Sequence, residues 1–458
     1  MKLNPEIFKA YDVRGIYGED FDEQAMYLIG QEAVKELGAK KLAVGRDARE
    51  SGSILYKALV QGIIDAGAEV VALDMVTTPM LYFSSHFLDD VDGAIAVTAS
   101  HNPGEYNGVK ICRRNAVPVG SATGLNDIRD RVLAKQEEVI DLKDFDFSQN
   151  EKITVYDIKS SYYEFFSRFA KLGNKKFKIV VDCANTMGVL ELPFYQKYLK
   201  DNFEVVELYC DLNNAYKDSH EANPLKTETL VELQEKVIAE KADLGIAYDG
   251  DADRVGFIDE KGKIIPMDLI TGLIAKVFLE DESNKGRIFL YDLRSSRAVK
   301  EVIEENGGVA HECRVGHAFI KQQMVEENAI FAGELSGHYY FQANKNGEVS
   351  TLAALTLLNL MAETDKKISE LVQDLRRYYH SGEINSKVKD KDVVIARLKE
   401  KYSDGKLSEL DGIKIDYPDW WFNVRASNTE PVLRLNLEAK TKEMMEEKRD
   451  ELLAIIRR

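Results

Sequence analysis

Apolar residues in this chain recur in short runs that end in polar turns, and the same succession of runs occurs three times. The first run of each set ends at or near an aspartate, in LAVGRD, IVVDCAN and IFLYDLRSS, where the aspartates are Asp47, Asp182 and Asp292. A second and a third strand-like run follow each of these. Apolar runs of this length, bounded by turn residues and separated by helical patterns, predict strands that alternate with helices. The pattern therefore predicts three similar α/β domains with mixed sheets.

The third run of each set ends in an unusual polar sequence. These sequences are TASHNP (98–103), DGDADR (249–254) and GELSGH (333–338). In open α/β sheets, ligands bind beyond the carboxyl ends of the strands. Because the three sequences occupy corresponding positions in three similar domains, we expect them to contribute to one shared cleft.

The residues after about 369 follow a different pattern. A helical stretch precedes strand-like runs around Ile413, at 420–424 and at 432–437, and a charged amphipathic helix is predicted at 440–458. We interpret this region as a smaller α+β domain. The predicted domain boundaries are 1–152, 153–258, 259–366 and 367–458.

Composition and charge exclude several classes of protein. The chain has 458 residues, of which 45% are hydrophobic and 30% charged, as in a globular protein. A net charge of -17 disfavours nucleic acid and acidic membranes as partners. The N-terminus lacks the apolar stretch of a secretory signal, and the four widely spaced cysteines indicate neither disulfides nor a zinc site. We therefore expect a cytoplasmic protein.

Ser100 follows an apolar strand and precedes Asn, Pro and Gly, so its hydroxyl is predicted to lie on a turn. A turn serine taken alone is usually a capping residue. The segment lacks the GxSxG sequence of serine hydrolases. His101 is a poor candidate base for Ser100, because neighbouring side chains on an extended segment point apart. Lys110, beyond the turn, could neutralise charge on a modified serine.

Asp249, Asp251 and Asp253 admit three interpretations. They match positions one, three and five of an EF-hand loop, with Glu260 at position twelve, but Arg254 stands where that loop needs glycine and the flanks resemble strands. An aspartyl-phosphate enzyme would leave Asp253 unexplained. A magnesium site of three carboxylates, with Arg254 pairing a phosphate oxygen, explains all of them, because closely packed carboxylates repel one another unless a cation is present.

Three further segments carry candidate ligands for a sugar or a phosphate. GELSGH places Glu334, Ser336 and His338 on one side of an extended segment, where carboxylate and hydroxyl groups suit sugar hydroxyls. RASNTEP (425–431) offers a guanidinium, hydroxyls and an amide, which suit a phosphate. His317 is a candidate general acid or base, although a lone histidine is more often structural.

The segments FKAYDVRG (8–15), TASHNPGEYNGVK, DGDADR, GELSGH and RASNTEP occur in an order and at separations that resemble the α-D-phosphohexomutase family, in its phosphomannomutase/phosphoglucomutase branch. The resemblance covers essentially the whole chain. It implies four domains around a central cleft and a reversible transfer of phosphate between the 1- and 6-positions of a hexose, through phosphoserine and a hexose 1,6-bisphosphate that also serves as activator.

The resemblance also implies roles for individual residues. Ser100 would carry the phosphoryl group and, with Asp249, Asp251 and Asp253, would hold Mg²⁺. The surroundings of the phosphoserine would be Tyr11, Arg14, His101, Lys110 and Arg254. Arg294 and His317 would lie near the reacting hydroxyl, and Glu334 and Ser336 would bind the sugar O3 and O4. The phosphate that is not reacting would be bound by Arg425, Ser427, Asn428 and Thr429.

The loop sequences also bear on the substrate. YNGVK and SNTEP differ from the DNGIK-like and SGTEP sequences of phosphoglucosamine mutases, and GELSGH differs from the GEESA of glucose-specific phosphoglucomutases. GELSGH favours mannose, or mannose and glucose together. Ala426 replaces a usual proline, and ANKNGE (343–348) replaces a usual acidic stretch. A metal-dependent sugar phosphatase and a non-catalytic sugar-phosphate binding protein are the alternatives from other classes, and the sequence does not indicate an oligomeric state.

Overall fold

The computed structural model describes residues 3–138, 140–142, 147, 150–426 and 432–458. The first domain contains a seven-stranded mixed sheet in the order β1-β5-β4-β2-β3-β7, with β6 beside β5. Its strands are β1 (Val13–Ile16), β2 (Lys41–Arg46), β3 (Glu69–Met75), β4 (Gly93–Val97), β5 (Tyr106–Arg113), β6 (Val117–Pro118) and β7 (Ile153–Val155), and its helices are α1 (Glu23–Leu37), α2 (Gly52–Asp65), α3 (Thr78–Phe87) and α4 (Leu125–Lys135).

The second and third domains each contain a five-stranded mixed sheet, in the orders β12-β11-β10-β8-β9 and β14-β13-β15-β16-β17. The second domain comprises α5 (Ile158–Ser167), β8 (Phe177–Asp182), β9 (Phe203–Leu208), α6 (Val231–Glu240), β10 (Leu244–Tyr248), β11 (Val255–Asp259) and β12 (Ile264–Ile265). The third comprises α7 (Met267–Leu279), β13 (Ile288–Asp292), α8 (Arg297–Glu305), β14 (Val309–Cys313), α9 (His317–Glu327), β15 (Phe331–Gly333), β16 (Tyr339–Phe341), β17 (Gly347–Glu348) and α10 (Ser350–Thr364).

The three sheets share one connection that fixes the position of the polar loops. In each domain the first three strands of the repeat pair in parallel, and the third then turns back into an antiparallel neighbour: β4 into β5, β10 into β11 and β15 into β16. The loops of these hairpins are TASHNP, DGDADR and the residues after Gly333. The three α/β domains and the placement of these loops beyond the third strands are as the hydrophobic pattern predicted.

The fourth domain has an antiparallel six-stranded sheet in the order β18-β23-β22-β21-β20, with β19 also pairing β23. The short helix α11 (Ile368–Leu371) precedes this domain and packs in the apolar core of the first three. The fourth domain itself comprises β18 (Tyr379–His380), β19 (Ile384–Lys387), α12 (Lys391–Lys401), β20 (Lys406–Ser408), β21 (Ile413–Asp416), β22 (Trp420–Ala426), β23 (Val432–Ala439) and α13 (Lys442–Ile456). The predicted C-terminal helix starts later than residue 440 because Thr441 caps it, accepting a hydrogen bond from the Met444 N–H. The smaller α+β domain is confirmed.

The apolar core joins the first three domains and leaves the fourth separate. One buried cluster extends from Phe83 on α3 through Phe166 on α5 to Phe257 on β11 and Leu355 on α10. The fourth domain packs around its own cluster, which includes Phe422 and Leu435. Burial of apolar area is the main stabilising contribution in a fold, so the first three domains form one stable unit to which the fourth is attached.

The sheets also bear on the predicted boundaries. β7 lies just after residue 152 and still pairs with β3 of the first sheet, and β12 lies beyond residue 258 and still belongs to the second. The chain therefore passes from the first sheet to the second between residues 155 and 177, and from the second sheet to the third between residues 265 and 288.

Candidate active site

The TASHNP loop holds Ser100 in a left-handed backbone conformation, with φ of 52°. The Ser100 N–H donates to Thr98 Oγ1, which closes the turn. Its Oγ lies 3.3 Å from Asp249 Oδ2 and 3.3 Å from His101 Nδ1. The expectation that His101 points away from Ser100 is therefore wrong. It assumed an extended segment, whereas a left-handed residue turns the two neighbouring side chains toward each other.

The DGDADR loop (249–254, the metal loop) packs directly against the TASHNP loop (98–103, the serine loop). A Cβ added to Gly250 would lie 2.2 Å from the Ser100 carbonyl oxygen, so only glycine permits this contact. One carboxylate oxygen from each of Asp249, Asp251 and Asp253 lies within 4.8 Å of the other two, and all three residues are buried. Asp251 Oδ1 is buried without a hydrogen-bond partner among the described residues. Hard oxygen ligands in this number and spacing fit a divalent cation such as Mg²⁺.

The EF-hand interpretation does not survive this geometry. The aspartates lie between the antiparallel strands β10 and β11, not between helices. Glu260 accepts a hydrogen bond from Ser369 Oγ at 2.6 Å instead of approaching the aspartates.

Lys110 compensates the charge of the aspartates in the structure. It is buried on β5, and its Nζ binds Asp251 Oδ2 at 2.6 Å and also Asp253 Oδ2. Burial opposes its charged form, but the two carboxylates outweigh that effect and raise the pKa of Lys110. Burial raises the pKa of Asp249 to about 7 against the opposing effect of Arg254. Asp253 has its pKa held well below the ordinary value because Lys110 and His338 outweigh the cost of burial.

Cationic side chains surround Ser100 on the remaining sides. Arg254 Nε binds Asp249 Oδ2 at 2.9 Å, and its Nη2 is buried without a partner among the described residues. Arg14 binds Asp12 Oδ2 at 2.8 Å and donates to Asn102 Oδ1 at 2.9 Å. Burial, together with these guanidinium groups, lowers the pKa of His101 well below its ordinary value, so its imidazole is neutral at neutral pH. A buried guanidinium edge without a partner suits the oxygens of a phosphoserine.

A cavity of ≈ 430 Å³ opens beside the serine loop and is lined in part by Tyr11, Arg14, Asn102 and His317. Its volume lies within the range of small-molecule sites. The Tyr11 hydroxyl donates to the Val315 carbonyl at 3.3 Å, and its ring meets the edge of the His317 ring with centroids 5.3 Å apart. Burial lowers the pKa of His317 well below its ordinary value, so this second imidazole is also neutral.

The candidate sugar-binding residues of GELSGH (333–338), in the third domain, lie against the metal loop of the second domain. His338 Nε2 lies 3.3 Å from Asp253 Oδ1, while its Nδ1 lies 2.9 Å from Ser336 Oγ and 3.3 Å from Glu334 Oε1. Burial opposes protonation of His338, yet the two carboxylates raise its pKa to about 10. Glu334 also accepts a hydrogen bond from the Tyr340 hydroxyl. The structure thus brings all three GELSGH candidates together beside the aspartates.

The remaining candidates lie where the fourth domain approaches. Arg294 Nη2 pairs with Asp292 Oδ2 at 2.7 Å, and Nη1 lies 3.5 Å from Glu383 Oε2. Arg425 Nη2 lies 3.5 Å from the same Glu383 oxygen. Ser427, Asn428 and Thr429 lie outside the described residues.

Arg49 and Tyr216 are among the residues that contact the site loops and were missed in the sequence, as is Thr78, whose Oγ1 donates to Asp251 Oδ2 at 2.6 Å. Arg49 follows Asp47 by two positions, as Arg294 follows Asp292. This repeated Asp-x-Arg spacing after the first strand of two similar domains was a usable signal. Tyr216 lies in an irregular segment of the second domain, where the sequence carries no such signal.

A serine, three buried carboxylates and a ring of cations therefore converge from separate α/β domains, which defines a site for phosphoryl transfer. Models of the phosphoglucomutase/phosphomannomutase family match residues 5–139 (α/β/α domain I), 160–262 (domain II), 266–379 (domain III) and 383–455 (C-terminal domain). The chain belongs to this family.

Individual relatives match over nearly the full length of the chain. A phosphomannomutase of Methanocaldococcus jannaschii is 39% identical over 98% of this chain and 97% of its own, and one of Escherichia coli K12 is 35% identical over 94% of both. The crystal structure of a phosphoglucomutase/phosphomannomutase family protein from Burkholderia thailandensis has a TM-score of 0.87 at 29% identity, covering 99% of this chain and 97% of that one. Within the described residues, every helix is too short or too polar for a membrane span.

Proposed function

We propose that this protein is a phosphohexomutase that interconverts mannose 6-phosphate and mannose 1-phosphate, and likewise the two glucose phosphates. The observation that carries the proposal is the position of Ser100 Oγ, 3.3 Å from Asp249 Oδ2 at the edge of three buried carboxylates. The full-length relatives named phosphomannomutase support it. A phosphatase or a binding protein would need neither this serine nor the four-domain arrangement.

The reaction begins with a phosphoryl group on Ser100. The bond from phosphorus to Ser100 Oγ breaks, a bond to the free sugar hydroxyl forms, and the product is a hexose 1,6-bisphosphate. Lys110 and Arg254 neutralise charge on the phosphoryl oxygens, which matters because the transition state is loose and depends on positioning and electrostatics. The proton of the sugar hydroxyl passes to a neutral imidazole, for which His101 and His317 are the candidates, and Ser100 Oγ takes up a proton in turn as its free hydroxyl re-forms.

The three aspartates would hold Mg²⁺, which when bound supplies positive charge to the phosphoryl oxygens. The fit rests on their hard oxygen ligands and on the unpartnered Asp251 Oδ1. We propose a trace of hexose 1,6-bisphosphate as the activator that phosphorylates Ser100 initially.

The bisphosphate must then turn end for end, so that its other phosphate returns to Ser100. The fourth domain has a separate core, and we propose that it moves to permit this turn without release of the intermediate. Arg425, Ser427, Asn428 and Thr429 would bind the phosphate that is not reacting. Tyr11 and Arg14 would position the substrate at the cavity, and Arg294 would do so from the side where the fourth domain approaches.

Glu334, Ser336 and His338 would bind the sugar hydroxyls that mannose and glucose share. The narrower alternatives within the family are a phosphoglucosamine mutase and a glucose-specific phosphoglucomutase. We also propose the domain division 1–152, 153–258, 259–366 and 367–458, with the first two boundaries moved later so that β7 stays with the first sheet and β12 with the second. We propose a cytoplasmic location, which four free cysteines support.

A phosphorus NMR time course tests the proposal. Purified protein is mixed with mannose 6-phosphate, or with glucose 6-phosphate, together with Mg²⁺ and a trace of glucose 1,6-bisphosphate. A mutase converts the 6-phosphate resonance into that of the 1-phosphate up to a fixed ratio, with no inorganic phosphate. Accumulation of inorganic phosphate would identify a phosphatase, and unchanged spectra would identify a binding protein.

A further inference from the structure

The Arg49 side chain is fully buried beneath the serine loop and donates to four carbonyl oxygens, three in the loop and one just after it. Nη2 binds the carbonyls of Ser100 at 2.8 Å and Asn102 at 2.7 Å. Nη1 binds the carbonyls of Pro103 and Tyr106, the latter at 2.9 Å. Three of these carbonyls belong to the irregular serine loop and the fourth to Tyr106 at the start of β5, so the planar guanidinium supplies hydrogen bonds that fix the loop against the strand that follows it.

The other side of Arg49 connects to the metal loop of the second domain. Arg49 Nε pairs with Asp47 Oδ2 at 3.0 Å, and the Tyr216 ring lies 4.1 Å from the guanidinium carbon. The Tyr216 hydroxyl lies 3.0 Å from the Gly250 carbonyl and 3.3 Å from Asp47 Oδ2. Gly250 separates the first two aspartates of the metal loop. One cluster, Asp47–Arg49–Tyr216, therefore contacts both the serine loop and the metal loop.

The two loops come from different domains, and their register decides where Ser100 Oγ lies relative to Asp249. Displacements of about 1 Å in a reacting group can cost about a hundredfold in rate. Direct contacts between the loops include the backbone of Gly250 against Ser100 and the 3.3 Å approach of Ser100 Oγ to Asp249 Oδ2. The Asp47–Arg49–Tyr216 cluster adds the hydrogen bonds from Arg49 on one side and the contact of the Tyr216 hydroxyl with the Gly250 carbonyl on the other, and these oppose sliding of one loop over the other.

We propose that Arg49 and Tyr216 are positioning residues, which hold the serine loop in register with the metal loop so that the phosphoryl group of Ser100 passes to the sugar hydroxyl and not to water. The inference rests on the proposed mutase function. In the competing reaction water takes the phosphoryl group, which yields inorganic phosphate and unmodified serine.

The test uses full-length protein, with Ser100 phosphorylated by glucose 1,6-bisphosphate. Tyr216→Phe removes the hydroxyl contacts and keeps the ring against Arg49, and Arg49→Lys keeps the charge but cannot bind four carbonyls. Tyr56→Phe is the matched control, because Tyr56 is also a buried tyrosine of this region whose hydroxyl donates to a carbonyl, that of Val44 at 3.2 Å.

For each variant we would measure kcat, KM, the thermal midpoint and the ratio of phosphoryl transfer to hydrolysis of phosphoserine. We expect kcat to fall about tenfold in Tyr216→Phe and about a hundredfold in Arg49→Lys, with KM within about twofold and a larger hydrolysed fraction in both. Tyr56→Phe should lower the thermal midpoint by a similar amount to Tyr216→Phe and leave kcat and the ratio unchanged.

Equal kcat and equal partitioning in Tyr216→Phe and Tyr56→Phe would overturn the inference, and this comparison decides the matter even if Arg49→Lys does not fold. A wild type that binds sugar phosphates without mutase turnover would instead refute the proposed function, and with it the positioning role.

Discussion

Glu191 joins the first three domains below the cleft, and its replacement by glutamine gives a quantitative test of how they are held together. Its carboxylate is fully buried and accepts hydrogen bonds from Thr77 Oγ1 of the first domain at 2.9 Å and from Thr351 Oγ1 of the third at 2.6 Å. Glu191→Gln keeps the shape of the side chain and removes its ability to ionise.

The expected magnitude follows from the pKa of Glu191. Burial raises this pKa from 4.5 to about 7, although the hydrogen bonds from Thr351 and Thr77 oppose the change. A carboxyl whose folded-state pKa exceeds its unfolded value contributes full stability below the unfolded pKa, and this stability is lost as the pH rises through the folded pKa. At ~1.4 kcal/mol for each pKa difference of one, the loss between pH 4.5 and 7 is about 3 kcal/mol.

The assay is thermal unfolding at pH 5 and at pH 8, monitored by calorimetry. A chelator is present so that metal binding does not contribute. About 2.5 kcal/mol of this loss of stability falls between pH 5 and pH 8, because the remainder is already lost at pH 5. For a unit of about 370 residues, with an unfolding entropy of roughly 2.1 cal/mol/K per residue, 2.5 kcal/mol corresponds to about 3 °C. Between the two pH values the midpoint of the wild type should therefore fall about 3 °C further than that of Glu191→Gln. Other titrating groups cancel in this comparison. If the thermal midpoints of the wild type and Glu191→Gln changed equally between pH 5 and pH 8, Glu191 would not be held neutral by burial. That result would refute the reasoning.

Three further predictions concern the reaction itself. Intact mass of the purified wild type should show a phosphoryl adduct on Ser100 that is absent from Ser100→Ala, whose turnover should fall by roughly a thousandfold or more; an unmodified wild type that is active without bisphosphate would contradict the carrier role. Asp251→Asn should weaken Mg²⁺ binding by about tenfold or more, measured by titrating activity with Mg²⁺, because a ligand charge is lost at constant volume; activity unaffected by chelator would show that the aspartates are only structural. Glu334→Gln should lower kcat/KM on mannose 6-phosphate and glucose 6-phosphate by similar factors, of about tenfold or more, because both sugars share O3 and O4; a loss confined to one epimer would mean that another residue reads O2.

The hydrophobic pattern was sufficient to predict the domains and the loops that carry the chemistry. Strands of a parallel sheet are apolar on both faces, so each of them stands out in the sequence, and the polar loop at its end is equally visible. Ser100, the aspartates and Glu334 could be singled out as candidates for this reason, and the resemblance to the family supplied the roles of Ser100 and Glu334. The sequence also contained the β1 and β5 strands, but their antiparallel pairing across almost a hundred residues left no local signal.

The contacts that position these side chains could not be predicted in the same way. The proximity of His101 to Ser100 depends on a positive φ at a residue other than glycine, which residue type alone does not indicate. The role of Arg49 depends on carbonyl groups, which every residue possesses and no residue type identifies. Tyr216 reaches the Gly250 carbonyl from an irregular segment more than thirty positions away in the chain. Such contacts are properties of the tertiary fold.

The charges of the site are compensated across domain borders, and this explains how assembly of the domains is coupled to assembly of the site. Lys110 of the first domain and His338 of the third both pair with Asp253 of the second, while Arg294 of the third lies against Glu383 of the fourth. Removing one partner of a buried pair leaves an uncompensated charge, which is strongly unfavourable. The first three domains share an apolar core in addition to these pairs, so their part of the site stays assembled. The fourth domain has its own core, and a substrate phosphate can replace Glu383 as the anion that its arginines contact. We therefore propose that the fourth domain opens and closes the cleft, and that the phosphate itself supplies the charge that favours closure.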